Sequence, residues 1–481
     1  MSEQPLKHIA IVGQGVELWF STVFLTAALK PFNVAVTCIE LGGCANVNTA
    51  PLEALSPQVL RLLKLMQIGE LDLIRQCRGG YSLGLDCRSV HNRFFVPHGE
   101  LGLEPNDSVL VGAAYSNYAK RGIHNLDALS VAATAAQQGK FAVVGTDRPD
   151  LQALLRYGVH LETDRLVNFL KHQLTRLGAT HVSAVNEPPV ISLNRGQIAS
   201  LLCSSGKKIC ADFWIDLSAN GVLQEASKNV AMHSLLSGCS AVQVAQSWRE
   251  APPNSAARQL STAENVLHDT LNSARIEQSS LYSDSEKALA DLCASKPLAR
   301  FDWQFSKKSY CALASIWDEN CLRLGERALQ IPGPAFSRLS LIMAALVQFV
   351  DQLPDAGVKP ALIQSYNRNM SAYINEAFSF NATMFTLVNK SYRAAGDVPS
   401  QSEVFSRTGR LLPAATDAVE PQQWKSLLYG LMGAPALTDI TLDRIASGDV
   451  NKALNELEKK IHGIASSMPN YADFLVRLLG R

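Results

Sequence analysis

The sequence lacks any block of five or more like charges, and its 481 residues carry a net charge of only +1. Such a chain has no overall field that would gather nucleic acid or an anionic membrane surface. It also lacks an uninterrupted run of 18 apolar residues, and its first apolar run, at Ile9, is too short for a signal peptide. We therefore expect a cytoplasmic protein that has neither nucleic acid nor membrane as a partner.

Cysteine pairs of the C-x-x-C type are absent too, although the chain contains ten cysteines. The nearest spacings are those of Cys203 with Cys210 and of Cys311 with Cys321, which do not match zinc sites or redox pairs. The sequence therefore predicts no metal site. Scattered cysteines of this kind are typical of buried free thiols in a reducing compartment.

The chain is organised around its first strand and turn. The apolar run at 9–12 predicts a strand, Gly13 and Gly15 follow it, and 16–29 predicts a helix. This order is typical of a dinucleotide-binding unit, in which two glycines let the backbone approach a pyrophosphate. Leu18 occupies the place of the third glycine, where added carbons push the helix away from the strand. Because two glycines after an apolar run also form ordinary strand-to-helix turns, that alternative stays open here.

A second strand is predicted at 34–39 and is followed by Glu40. An acidic residue at this place binds a ribose hydroxyl in dinucleotide folds, but a solvated strand end explains Glu40 equally well. Between 178 and 216, apolar stretches predict strands, the last of them a single strand at 208–216, that leave the first sheet and return to it, as in flavoprotein monooxygenases. The polar, serine-rich stretch at 255–295 predicts surface helices and loops. Other predicted elements are helices at 57–71, 165–177, 337–352 and 366–388, and strands at 301–305, 310–315 and 320–326.

Several segments, taken in chain order, resemble the flavin-dependent tryptophan halogenase family, and the resemblance covers nearly the whole chain. GQGVELW at 13–19 resembles the family's GGGTAGW, and ADFWIDLSA at 211–219 resembles its ADLFIDCSG. The residues at 324–328 and 333–342 resemble LGDAAGF and PLESTSIHLI, and MPNYADF at 468–474 has a counterpart as well. The resemblance implies an α/β fold with a Rossmann-like FAD/NAD(P)-binding module of the p-hydroxybenzoate hydroxylase type and a largely helical substrate module. The flavin module is predicted to comprise 1–110, 160–235 and 310–360, and the substrate module 111–159, 236–309 and 361–481.

In this family, FADH2 from a flavin reductase reacts with oxygen, halide is oxidised to hypohalous acid, and this oxidant travels through a tunnel to an aromatic substrate such as an indole. A lysine and a glutamate complete the reaction, because an ammonium activates the oxidant and a carboxylate takes the ring proton. The family's TFKLG resembles residues 80–84, which places Ser82 at the lysine, and the glutamate of PLEST falls at Ala335. A serine hydroxyl carries no charge and alanine offers no base. Ser82 and Ala335 are therefore the substituted catalytic positions.

The cofactor contacts implied by the resemblance are altered as well. The family's GVGEATIP resembles residues 44–51 without its two glycines, and the aspartate of its GD pair becomes Glu326. Together with Leu18, these changes indicate that FAD binds weakly or not at all. The resemblance assigns the cofactor-binding positions to Gly13, Gly15, Glu40, Thr49, Gly325 and Glu326.

The implied substrate pocket has also diverged. The family's WxWxIP signature resembles residues 301–306 and keeps only Trp303, and because this signature guards against ordinary monooxygenation, its decay also fits hydroxylation. Arg338 stands at a helix start, where it is expected to bind an anion or to fill the former halide site. We expect one pocket that contains Ser82, Trp303, Ala335 and Arg338. The resemblance places Phe301, Trp303, Phe305, Ser337 and Arg338 in this substrate pocket.

Two functions are compatible with these residues. The first is halogenation or oxygenation of a small aromatic substrate with FADH2 and O2, with chloride or bromide and a flavin reductase. The alternative is a non-catalytic relative that binds a ligand or a partner, such as an active paralogue, with its flavin groove filled by Leu18 and Glu326. An unrelated NAD-dependent dehydrogenase is disfavoured, because the chain lacks a complete GxGxxG and a catalytic dyad. Whether the chain forms a homodimer stays open.

Overall fold

The structure, a computed structural model, describes most of the chain. The described residues are 5–42, 50–89, 92–104, 107–145, 147–185, 189–204, 206–223, 232–234, 241–263, 265–283, 285–295, 298–307, 311–331, 333–354, 358–388, 400–414, 416–437 and 447–480. The strands are β1 (His8–Gly13), β2 (Ala35–Leu41), β3 (Leu52–Leu55), β4 (Gly80–Ser82), β5 (Gly84–Arg88), β6 (Arg93–Pro97), β7 (Gly158–Glu162), β8 (Thr180–Val185), β9 (Val190–Asn194), β10 (Gln197–Leu202), β11 (Lys208–Cys210), β12 (Phe213–Leu217), β13 (Met232–Ser234), β14 (Ala241–Trp248), β15 (Arg258–Ala263), β16 (Val266–Asn272), β17 (Ile276–Ser283), β18 (Gln304–Lys307), β19 (Cys311–Leu313), β20 (Trp317–Asp318), β21 (Cys321–Arg323) and β22 (Leu329–Gln330).

The helices surround these strands and dominate the C-terminal part of the chain. They are α1 (Gly15–Leu29), α2 (Pro57–Leu62), α3 (Glu70–Gln76), α4 (Asp107–Lys120), α5 (Val131–Gln137), α6 (Pro149–Leu154), α7 (Thr163–Leu177), α8 (Glu286–Cys293), α9 (Arg338–Asp351), α10 (Pro360–Phe385), α11 (Gln401–Thr408), α12 (Pro421–Met432), α13 (Ser447–Ser466) and α14 (Tyr471–Leu478). Within the described ranges, every helix is too short or too polar to cross a membrane.

The first strand lies inside a six-stranded sheet with the order β20-β21-β12-β1-β2-β8. β1 pairs in parallel with both neighbours, and this register places Gly13 beside Glu40 and Leu217. Helix α1 packs against α7 and α9, and twelve of its fifteen residues are buried. A helix that is apolar on all sides is stable only inside a core. The parallel strands and their packed helices confirm the predicted α/β class.

The predicted excursion from the first sheet is present. β9, β10 and β11 form an antiparallel sheet, and β12 then returns to the central sheet between β1 and β21. The single strand predicted at 208–216 is two strands in two sheets, because the chain turns at Asp212. The Asp212 carboxylate accepts hydrogen bonds from the backbone N–H groups of Lys7 and His8, at 3.0 and 2.9 Å.

The prediction of surface helices and loops at 255–295 is wrong. This stretch forms β15, β16 and β17 of a seven-stranded sheet with the order β18-β14-β17-β16-β15-β5-β6, followed by α8. Polar side chains such as Asp269, Ser279 and Ser280 are buried in these strands. Because of them, the alternation of apolar and polar residues that marks a half-buried strand is missing. β5 and β6, which are predicted to belong to the flavin module, pair into this sheet. The borders of the two modules stay a prediction.

A small sheet with the order β3-β7-β4 carries several residues of the candidate site. Its register places His160 beside Ala54, and Ser82 beside Gly158. After β3, the single helix predicted at 57–71 is two helices, α2 and α3, because the chain breaks between them where Gln67 has a positive φ of 57°.

The C-terminal helix contacts this sheet. The hydroxyl of Tyr471 accepts a hydrogen bond from the backbone N–H of Tyr81 at 2.6 Å and donates one to the carbonyl oxygen of Tyr81 at 3.2 Å. Arg75 Nε donates to the carbonyl oxygen of Leu478 at 3.0 Å. Helix α14 is therefore attached to β4, although 390 residues separate the two tyrosines.

Candidate functional site

A cavity of about 460 Å³ lies between the β3-β7-β4 sheet and helices α2, α9 and α10. Its walls are mostly apolar, with Met343 and Phe380 among them, and Ser82, Ala335 and Ser337 line it as well. Cavities of this size with a few convergent polar groups are typical of small-molecule sites.

Ser82 and Ala335, the two substituted catalytic positions, face this same cavity. The Ser82 hydroxyl donates to the carbonyl oxygen of Gly84 at 3.0 Å and accepts from the backbone N–H of Arg258 at 3.2 Å. The backbone N–H of Ala335 donates to Oδ1 of Asn381 at 3.1 Å. The Ser82 hydroxyl is thus already engaged with the backbone, and Ala335 adds only a methyl group.

The guanidinium of a buried ion pair also lines the cavity that contains Ser82. Arg258 lines the cavity, and its Nε and Nη2 donate to the two carboxylate oxygens of Asp269 at 2.7 and 2.5 Å. Asp269 is 0% exposed, so this carboxylate is available to Arg258 but not to a ligand. Sequence reasoning missed both residues, because they lie in the stretch predicted as surface loops.

Two histidines complete the polar part of the cavity wall. Burial, together with the positive charge of Arg258, lowers the pKa of His98 to about 4 and that of His160 to about 3. Both imidazoles are therefore neutral at pH 7. In the part of the chain that the structure describes, no three His, Cys, Asp or Glu side chains cluster as metal ligands would.

Glu53 is a further carboxyl group close to this wall. Its pKa is raised to about 8, mainly by burial and also by the charge of Glu17, against the lowering effects of a hydrogen bond with Ser337 and of the charges of Arg338 and Arg258. Its Oε1 is buried and has no hydrogen-bond partner among the described residues. A carboxyl group in this position holds a proton at neutral pH.

Glu53 was absent from the sequence-predicted site, although a signal for it exists. The E-A-x-x-P spacing of the family's segment GVGEATIP recurs at Glu53, Ala54 and Pro57. The resemblance, by contrast, places this segment at residues 44–51. In the structure, β3 contains the first two of these residues and α2 begins at Pro57. Residues 43–49 lie outside the described ranges.

The start of α9 connects the cavity with the first turn of the chain. The Ser337 hydroxyl caps this helix by accepting from the backbone N–H of Ser340 at 3.1 Å. Arg338, the next residue, donates through Nη2 to Oε1 of Glu17 at 2.7 Å, and both side chains are 17% exposed. The guanidinium that was expected to bind an anion therefore already has a carboxylate partner inside the protein.

The predicted cofactor positions lie at the carboxyl edge of the central sheet, except for Thr49, which falls outside the described residues. They come together there because β1, β2 and β21 end at this edge. The positions are Gly13 at the end of β1, Gly15 with a φ of 69° at the start of α1, Glu40 near the end of β2, and Gly325 with the half-buried Glu326 after β21.

Several of these positions are occupied by contacts within the protein. A Cβ atom built on Gly15 would meet Oε2 of Glu17 at 3.5 Å, so a carboxylate lies where the backbone of this turn would approach a diphosphate. Glu40 pairs with Nζ of Lys171 at 3.2 Å and with Nε2 of His181 at 3.3 Å. The carboxylate at Gly15 repels an anion, and the partners of Glu40 compete with a ribose hydroxyl.

Two other residues of the first turn, Leu18 and Gln14, differ in whether they are available to contact a ligand. Leu18, at the third glycine position, is 0% exposed and belongs to the core. Nε2 of Gln14 is buried and has no hydrogen-bond partner within the described ranges, so the turn retains one free donor.

Gly325 is required by the packing of the protein itself. A Cβ atom at this position would lie 2.0 Å from the carbonyl oxygen of Ser218, which follows β12. We expect Gly325→Ala to lower the free energy of unfolding by about 1–3 kcal/mol, because the two chain segments would have to move apart. Urea unfolding of the purified variant measures this change.

The matched control is Gly463→Ala in α13, where an added Cβ would have no neighbour within 4 Å. It is expected to leave stability unchanged or to raise it by up to about 1 kcal/mol, as alanine does inside a helix. If Gly325→Ala unfolds at the same urea concentration as the unmodified protein, the close contact with Ser218 is not real.

The predicted aromatic residues of the pocket lie elsewhere. Phe301 and Trp303 pack on each other at 5.5 Å between ring centroids, in a cluster with α8, and neither is among the residues that line the cavity. Trp303 Nε1 donates to the carbonyl oxygen of Leu298 at 3.1 Å. Phe305 is in β18, and its side chain is outside the described part of the structure. Of the four residues expected in one pocket, Ser82 and Ala335 come together, whereas Trp303 and Arg338 have partners elsewhere.

Comparisons with known proteins agree with this architecture. A family model described as tryptophan halogenase matches residues 8–446. Tryptophan 7-halogenase KtzQ of Kutzneria sp. (strain 744) is 22% identical over 436 residues, which cover 83% of this chain and 80% of KtzQ.

Two solved structures are similar along nearly their whole length. BrvH, a flavin-dependent halogenase from Brevundimonas sp. BAL3, has a TM-score of 0.85 at 17% identity and covers 98% of this chain and 99% of its own. The tryptophan halogenase from Shewanella frigidimarina NCIMB 400 has a TM-score of 0.82 at 17% identity, covering 100% of this chain and 98% of its own. These similarities confirm the predicted halogenase fold.

Proposed function

Because this chain belongs to the tryptophan halogenase family, we propose that it binds a small aromatic molecule in the cavity beside α9 but lacks the family's lysine-and-glutamate route to halogenation. The observation that carries this proposal is the presence of Ser82 and Ala335 in the lining of one cavity. Neither side chain can activate an oxidant as an ammonium does or take a proton as a carboxylate does. The mostly apolar walls support an aromatic ligand.

The edge of the central sheet supports weak or absent FAD binding. Glu17 places a negative charge at Gly15, where the diphosphate of FAD would have to lie. Glu40 and Arg338, which would meet a ribose hydroxyl or an anion, are held in ion pairs within the protein. These residues therefore do not fit the diphosphate and the ribose of FAD.

A titration of the full-length protein with FAD and with reduced flavin tests the cofactor part of the proposal. We expect a colourless purified protein and no change of flavin fluorescence at micromolar flavin, because the Glu17 carboxylate lies at Gly15 and Glu40 is held in an ion pair. Glu17→Ala is the informative variant, since it removes the carboxylate at Gly15 and is expected to increase flavin affinity. A yellow purified protein, or saturable binding of FAD at micromolar concentration, would contradict weak or absent binding.

A second candidate is flavin-dependent halogenation or oxygenation of an aromatic substrate with chloride or bromide, O2 and a flavin reductase. Glu53 and Arg258 favour it, because they bring a carboxyl group and a cation close to the cavity from other positions than the family's. The free donor of Gln14 also leaves the turn one contact for a ligand. Incubation with reductase, flavin, halide and an indole, followed by mass spectrometry, separates the two candidates. A halogenated or hydroxylated product that disappears in Glu53→Gln would favour this one.

A further inference from the structure

The polar end of the cavity holds three side-chain nitrogens that have no hydrogen-bond partner among the described residues. Arg258 binds Asp269 through Nε and Nη2, and its Nη1 takes part in no hydrogen bond among the described residues. His160 uses Nδ1, which lies 3.2 Å from the carbonyl oxygen and 3.3 Å from the amide nitrogen of Asn272. Nδ1 of His98 accepts from Nε2 of Gln423 at 3.5 Å, so the proton of this neutral imidazole lies on its Nε2. In the same part of the chain, Nε2 of each histidine has no partner, and all three residues line the cavity.

The three residues lie close together. Nε2 of His98 would be 3.7 Å from a Cβ atom built on Gly158, which pairs with Ser82 across β7 and β4. The Ser82 hydroxyl accepts from the backbone N–H of Arg258 at 3.2 Å. His160 follows Gly158 in β7 by two residues, so the two imidazoles and the guanidinium surround the same corner.

This corner carries little net charge. The Asp269 carboxylate balances the guanidinium of Arg258, and both imidazoles are neutral at pH 7 because burial and Arg258 lower the pKa of each. The nearby Glu53 carboxyl also holds its proton at this pH, since burial raises its pKa to about 8. A carboxylate ligand would approach the buried Asp269, and an ammonium ligand would approach Arg258, so neither charge is favoured here.

We propose that the cavity recognises a phenol, whose oxygen accepts a hydrogen bond from Nη1 of Arg258 and whose O–H donates a hydrogen bond to Nε2 of His160, the imidazole whose Nδ1–H donates to the carbonyl oxygen of Asn272. A phenolic hydroxyl is both a donor and an acceptor, which is what a guanidinium N–H and a neutral imidazole nitrogen together require. This assignment rests on the proposed binding of an aromatic molecule in the cavity and specifies its chemical class.

Three probes of similar size test the proposal on the full-length protein by equilibrium titration. 4-Nitrophenol offers the hydroxyl, 4-nitroanisole has the same ring with the hydroxyl methylated, and 4-nitrobenzoate offers a carboxylate. We expect 4-nitrophenol to bind at least roughly tenfold more tightly than the other two, because only it satisfies both the charged donor and the imidazole. On binding at neutral pH its absorption band should be that of the neutral phenol, because the corner favours neither charge.

Equal affinity for 4-nitrophenol and 4-nitroanisole would refute the phenol and leave aromatic binding standing. Tighter binding of 4-nitrobenzoate would overturn it in favour of a carboxylate. If none of the three probes binds, both this inference and the proposed function fail.

The double variant Arg258→Met/Asp269→Leu tests the role of the guanidinium without leaving a buried charge unpaired. It is expected to lose the preference for 4-nitrophenol and to retain binding of 4-nitroanisole, which reports that the cavity is intact. The matched control is Arg148→Met/Asp150→Leu, which removes an exposed ion pair far from the cavity walls and should keep the preference. A full preference for 4-nitrophenol in the Arg258 variant would show that this residue does not recognise the ligand.

Discussion

Asp269→Asn is expected to lower the free energy of unfolding by about 3–5 kcal/mol. Asp269 is 0% exposed, and the side chain of Arg258 is 11% exposed, so removal of the carboxylate leaves a guanidinium charge buried without its partner. Urea unfolding followed by circular dichroism measures the difference. The affected region is the seven-stranded sheet, because Arg258 begins β15 and Asp269 lies in β16.

Two variants separate charge burial from simple loss of an ion pair. In Arg258→Met/Asp269→Leu both charges are replaced by apolar groups, and most of the stability should return. Asp150→Asn breaks the exposed pair of Arg148 and Asp150, whose side chains are 55% and 59% exposed, and should leave the free energy of unfolding nearly unchanged. A loss of similar size in Asp269→Asn and Asp150→Asn would mean that the Arg258 site is accessible to water.

Glu53→Gln is expected to make the protein more stable above pH 8 by roughly 4–5 kcal/mol and to change little near pH 4.5. The folded protein holds the Glu53 proton up to a pKa of about 8, whereas the unfolded chain releases it near 4.5. The free energy of unfolding of the unmodified protein therefore falls as the pH rises through this window. Glutamine is neutral at every pH, so the free energy of unfolding of the variant does not fall in this window.

The measurement is the difference in unfolding free energy between variant and unmodified protein at several pH values from 4.5 to 9. His98 and His160 add a pH dependence of opposite sign below pH 6.5. Because their pKa values are lowered in the folded protein, the unfolded chain binds more protons there, and the free energy of unfolding rises with pH. That slope is present in both proteins and cancels in the difference. Glu456→Gln, at an exposed position of α13, should show no such dependence. A pH-independent difference for Glu53→Gln would rule out a buried, protonated Glu53.

The first turn and the central sheet could be predicted from the sequence because local signals dominate there. A β-branched run, two glycines and a long apolar helix allow few other arrangements, and the structure places Gly13 beside Glu40 as a parallel sheet requires. The split of 57–71 into α2 and α3 was not predictable in the same way, since it depends on the positive φ of Gln67.

The candidate site was harder to predict because its polar residues come from a sheet whose strands do not alternate. Arg258 and Asp269 are eleven residues apart in sequence, and only the pairing of β15 with β16 brings their charges together. Glu53 carries a recognisable spacing to Pro57, yet its unusual protonation follows from burial, which sequence alone does not report. Ser82 and Ala335, by contrast, were placed by family resemblance, and the structure brings both to one cavity.

The attachment of α14 to β4 has a practical consequence for anyone who shortens this protein. Tyr471 holds both backbone groups of Tyr81, the residue that precedes Ser82, and Arg75 holds the carbonyl of Leu478. A truncation before residue 471 would free the edge strand that carries Ser82 of the cavity lining, even though none of the described residues in the deleted segment lines the cavity. Affinity tags and fusions are therefore better placed at the N-terminus when ligand binding is to be measured.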